Sequence, residues 1–79
     1  MIAVKPTQLV RVARVRALGA DGKAREIREG KDVSLREAAR AIGVNPSTLH
    51  RWETGECRPS APLALRWDAL LDQLQRVAS

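Results

Sequence analysis

The stretch SLREAARAIGVNPSTLHRWETG, residues 34–55, decides how this chain folds. It opens with Ser34 and, three positions on, Glu37. That is the spacing of a capping box, in which each side chain accepts a hydrogen bond from the other residue's backbone N–H. Ala38, Ala39 and Ile42 follow at helical spacing and face inward. Gly43 permits the tight turn that ends the helix. Asn45 stands at the cap of a second helix and Pro46 at its first position, where a missing backbone donor costs nothing. This second helix runs to Glu53 or Thr54 and stops at Gly55. Within it, Leu49 and Trp52 are apolar anchors, and Ser47, His50 and Arg51 form a polar face between them. Two short helices therefore meet across a glycine turn.

The flanking segments are also helical. Residues 22–30 place Ala24, Ile27 and Arg28 on one side. The last helix starts near Ser60, and Leu63, Trp67, Leu70, Leu74 and Val77 form a continuous apolar stripe, widened by Ala64, Leu71 and Ala78. The stripe closes the core of a small bundle. It is wider than one face of such a bundle needs, so its outer edge also offers a dimer contact. Residues 7–18 read as a helix with Leu9, Val10, Val12, Ala13 and Ala17 on one arc and Gln8, Arg11 and Arg14 opposite. Arg16 breaks the arc. The valines also suit a strand, but strict alternation fails because Arg11 and Arg14 are three apart.

Seventy-nine residues make one small domain. A hydrophobic content of 44% excludes wholesale disorder. Without Phe or Tyr, Trp52 and Trp67 are the only large aromatic fillers. The lone Cys57 leaves an incidental loop thiol or an intermolecular disulfide, and one Cys with one His makes no metal site. The N-terminal MIAVKPTQLV lacks the apolar run of a secretory signal, and no stretch reaches the ~20 apolar residues of a membrane span. A soluble cytoplasmic protein is expected. With no Gly-rich phosphate loop and no carboxylate pair beside an activating group, no enzyme and no cofactor are expected. The net charge is +5, and residues 1–20 carry Lys5, Arg11, Arg14 and Arg16 without a single acid. Such a balance either aids solubility or marks a footprint for a polyanion.

The chain resembles the Cro/CI-type (XRE-like) helix-turn-helix family. The matching residues are Arg28 in REIREGKDVS, then the stretch quoted at the outset, then Pro59. The most specific set is Ser34, Glu37, Ala39, Gly43, Val44, Trp52, Glu53 and Gly55. The resemblance covers roughly residues 22–74. It implies an all-α fold, a small lambda-repressor-like bundle of about five helices. The expected organisation is a basic, partly helical N-terminal extension over residues 1–20 and the helix-turn-helix domain over 21–79. The implied partner is double-stranded DNA, bound by a transcriptional regulator that is repressor-like and homodimeric, with no small-molecule ligand. The alternatives are a protein-interaction module on the same fold, such as an antitoxin, and an accessory factor of recombination or replication.

Carried over residue by residue, the resemblance puts Pro46, Ser47, His50 and Arg51 at base edges. The Arg51 fork matches guanine O6 and N7. Thr48 lies near the helix start, where free donors and the dipole favour a phosphate. Arg36 and Arg40 on the first helix of the motif suit the DNA backbone, as does Arg58 beyond the second. Arg28 and Glu53 are implied to be a largely buried structural pair. Leu35 stands where many members carry glutamine, Ala38 is smaller than the usual leucine, and Pro46 removes a donor from the reading helix. Residues 1–20 lie outside the shared pattern. Their apolar side is expected to dock on the domain, over Leu35, while Arg11, Arg14 and Arg16 extend the phosphate-binding surface.

Overall fold

The computed structural model describes residues 5–77, which form five α-helices and no strand: α1 Pro6–Ala20, α2 Lys23–Gly30, α3 Leu35–Ile42, α4 Pro46–Glu53 and α5 Ala61–Arg76. Ala78, expected to widen the last apolar stripe, lies outside the described residues. The core is built from every helix. Val12 and Val15 come from α1, Ala24 from α2, and Ala38, Ala39 and Ile42 from α3. Leu49 and Trp52 come from α4, and Ala64, Trp67 and Leu71 from α5. The two indole rings meet at the centre, 5.3 Å apart and tilted by 40°. Such aromatic pairs add stability beyond their buried area.

The capping box forms as the spacing predicts. The Glu37 N–H donates to Ser34 Oγ and the Ser34 N–H donates to Glu37 Oε1, each at 3.0 Å. The Ser34 N–H first, and its hydroxyl second, hold the Glu37 carboxyl below the usual carboxylate range. A depressed folded-state pKa means that this stabilisation is present above the unfolded pKa and is lost as pH falls through the folded one. Ser34→Ala is expected to cost ~1 kcal/mol. Urea titration gives the test, and Glu37→Gln should flatten the acid limb of the stability curve.

Asn45 behaves differently from expectation. It occupies the cap position of α4, but its side chain makes no cap hydrogen bond. Its carbonyl takes over the local bonding, accepting from the N–H groups of Thr48 and Leu49.

The first helix corrects the reading of its faces. It buries Val12, Val15 and Gly19. Leu9 and Val10 stay 55% and 69% exposed, and Ala13 and Ala17 are exposed as well. Two contacts fix this rotation. At Gly19, an added Cβ would lie 2.6 Å from both the Trp52 carbonyl oxygen and the Trp67 ring. Only a residue without a side chain allows that approach. At the other contact, Arg11 Nε donates to Asp68 Oδ2 at 2.8 Å, and Arg14 binds Asp68 Oδ1. Helix α1 packs mainly on α5, with further contacts to α2 and α4, rather than over Leu35 of α3. Residues on both sides of the boundary expected near residue 20 share one core.

Asp68 also explains why the α5 stripe is shifted. Ala64, Trp67, Asp68 and Leu71 are buried, whereas Leu63, Leu70 and Leu74 line the edge of the core and Val77 is 54% exposed. The Asp68 side chain is 2% exposed, against 47% and 51% for its two arginines. Removing both arginines strands a buried carboxylate. The expected cost of Arg11→Ala with Arg14→Ala is ~2 kcal/mol, below that of a fully buried pair because the guanidinium heads are screened. Thermal unfolding should show the double variant losing more than either single one.

Candidate nucleic-acid interface

Helices α3 and α4, eight residues each, are joined by Gly43, Val44 and Asn45. Gly43 has φ 92°, a left-handed conformation that glycine adopts without strain. Its N–H and that of Val44 both donate to the Ala39 carbonyl, at 2.8 and 3.0 Å, closing the turn. Ala39 is fully buried, and a methyl group there lets the two helices cross closely. Leu49 is also fully buried and Trp52 nearly so, so the opposite side of α4 points outward.

That outward side carries Ser47, His50 and Arg51, all exposed, with Pro46 and Thr48 half-buried at its start. Arg36 and Arg40 are exposed on α3, and with Val44 and Pro46 they line an open cleft beside the turn. Arg58 is exposed in the loop after α4.

Behind this surface, Arg28 and Glu53 form the pair that the resemblance implied. Arg28 Nε donates to Glu53 Oε2 at 2.7 Å and Nη2 to Oε1 at 3.0 Å. Nη1 donates to the Val33 carbonyl at 2.9 Å. The hydrogen bonds to Glu53 are the main cause that raises the Arg28 pKa, against the effect of burial. Both side chains are buried, so a two-pronged clamp fastens the end of α4 to α2 and to the loop before α3.

The arginines divide into two groups. Arg11 and Arg14 hold Asp68, Arg16 donates twice to the Pro59 carbonyl, and Arg28 holds Glu53. Arg25 and Arg76 pair with acids one helical turn away, and Arg66 reaches the Ile42 carbonyl at 3.4 Å. Among the described residues, no hydrogen bond or ion pair engages the side chains of Arg36, Arg40, Arg51 or Arg58. These all lie on α3, on α4 or directly after it.

The family profile described as "Helix-turn-helix domain" matches residues 22–77. The chain belongs to the helix-turn-helix domain family. No curated protein and no solved structure matches it significantly. The helix-turn-helix match begins just before α2, so α1 is added to the shared unit yet supplies two of its fully buried valines.

Sequence reasoning missed three residues that position the helix-turn-helix surface. Gly19 and Asp68 seat α1 against the tryptophans and α5, and Arg66 covers the carbonyl end of α3. Gly19 lies just past the helix expected over residues 7–18, where a glycine reads as a stop, yet it falls within α1. Asp68 acquires its meaning only from arginines more than fifty positions away. Among the described residues, no helix is long and apolar enough to cross a membrane.

Proposed function

We propose that this protein is a sequence-specific DNA-binding transcriptional regulator of repressor-like type, acting in the cytoplasm as a homodimer on a two-fold site. Helix α4 enters the major groove, which is about 12 Å wide. Pro46, Ser47, His50 and Arg51 meet base edges. Arg36, Arg40 and Arg58 meet phosphates, and Thr48 does so near the helix start. The observation that carries this reading is the division of the arginines. Among the described residues, the arginines whose side chains make no hydrogen bond or ion pair surround the α3–α4 unit, and elsewhere each is engaged within the chain. Unpaired arginines gathered on one motif suit a polyanion, and a helix-turn-helix supplies the docking geometry. Arg11, Arg14 and Arg16 are left out of the proposed contact set because each already holds a partner within the chain. The reading is of a binding protein, with no catalytic step.

Arg51 is assigned to a guanine, which its fork recognises through O6 and N7. Arg51→Ala should weaken binding to the preferred site by roughly 1–3 kcal/mol and relax preference at one base position. Arg58→Ala should weaken all duplexes alike and lower the slope of log affinity against log salt by about 0.9. Selection of bound sequences from random duplex DNA, repeated with each variant, gives the test. Identical selected sites and affinities for wild type and Arg51→Ala would reject the assignment.

A further inference from the structure

The outer face of α1 is apolar. On a helical projection, Pro6, Leu9, Val10, Ala13, Ala17 and Ala20 occupy one continuous sector of roughly 100°. All of them are exposed, and no polar side chain falls among them. The bordering charges are drawn aside, Arg14 to Asp68 and Arg16 to the Pro59 carbonyl. An exposed apolar strip of this kind, with no charge within it, can serve as a contact surface.

We infer that this face of α1 is where a second copy of the chain docks, antiparallel, across a two-fold axis near Ala13. The pattern is complementary to itself in that direction. Bulky Leu9 and Val10 stand in the first half of the row and Ala17 and Ala20 in the second. Antiparallel pairing sets Leu9 of one protomer over Ala17 of its partner, bulk against space, and does so twice. Parallel pairing would set bulk on bulk and alanine on alanine, leaving a gap. The sector bears no charge, so it suits neither an acidic nor a basic partner. It also gives two chains of net charge +5 an uncharged patch through which to meet.

Size sets the strength. A helix of 15 residues is about 22 Å long and ~10 Å across, so the contact covers only a few hundred Å² per partner. Stable interfaces use about 800 Å² per partner. The free dimer is therefore weak, with a dissociation constant on the order of 10–100 µM. This inference names the surface of the proposed homodimer. Its test uses no DNA, so its failure and the failure of the DNA-binding reading are distinguishable.

Sedimentation of the full chain from about 1 µM to 1 mM is expected to show reversible dimerisation in that range. Leu9→Glu and Ala17→Lys should each weaken it about tenfold or more, with thermal midpoints equal to that of wild type at about 1 µM, where all are monomeric and both positions face solvent. One chain carrying both substitutions should dimerise again, through the new opposite charges, and lose that gain at high salt. A wild type that stays monomeric throughout overturns the inference. Single variants that associate like wild type place any interface elsewhere, such as the outer edge of α5, and also overturn it. A double variant as weak as the single ones rejects the antiparallel register. A thermal midpoint that falls in the monomeric single variants would mean that the chain itself covers this face, against the inference.

Discussion

Glu53→Ala is expected to lower stability by ~3–5 kcal/mol, a large share of the ~5–15 kcal/mol that holds a native domain together. The reason is the environment of Arg28. Its side chain is 10% exposed and places two of its nitrogens on Glu53. Without the carboxylate, a positive charge remains in the interior with the Val33 carbonyl as its remaining hydrogen-bond partner among the described residues. Arg28→Ala should cost a similar amount by stranding Glu53. The double variant removes both charges, so its loss should fall well short of the sum. Urea denaturation of the four species measures the coupling. Strictly additive losses would show that the two side chains stabilise the fold independently.

Gly19→Ala should cost about 3 kcal/mol, the upper end of what overpacking a core usually does. Helix propensity alone predicts the opposite sign, a gain of up to ~1 kcal/mol when alanine replaces an interior glycine. The contacts decide between them. A Cβ at Gly19 would sit 2.6 Å from the Trp52 carbonyl oxygen, a backbone atom on α4, and equally close to the Trp67 ring. Relief requires α1 to move off the tryptophan pair, which also strains the contacts of Arg11 and Arg14 with Asp68. Gly30→Ala is the control, because nothing lies within 4 Å of a Cβ there. A higher thermal midpoint for Gly19→Ala would show that the helices part easily at this point.

The contrast between Ser34 and Asp68 shows what the sequence made legible. Ser34, Glu37, Gly43 and Pro46 act on neighbours within a turn or two, so their spacing carried the α3–α4 unit almost to the residue. The anchors Leu49 and Trp52 followed from period alone, and with them the outward side of α4. The Arg28–Glu53 pair came through resemblance, since nothing local joins positions 25 residues apart. In α1 the pattern was read as one apolar arc from Leu9 to Ala17, and periodicity gave no means of choosing which part of it turns inward. The choice was made by Gly19 against two tryptophans and by a buried carboxylate on α5, none of them near in sequence. In α5 the stripe was read past Asp68 because a lone charge looks like a solvent position. Two arginines from α1 make that burial tolerable. The charge excess of the first twenty residues was visible, but not that three of its arginines are engaged inside the molecule.

The way α4 is fastened has a consequence for how such a protein changes its target. Every residue that secures this helix, Leu49, Trp52 and Glu53, lies on the side away from Ser47, His50 and Arg51. The exposed set touches no core residue through a hydrogen bond or an ion pair, so its identity is nearly free of the requirement to fold. New side chains at these positions alter what is recognised while leaving the scaffold's stability almost untouched. Recognition can thus drift by single steps through intermediates that are all well folded. The same helix is rigidly held in place and open to rewriting.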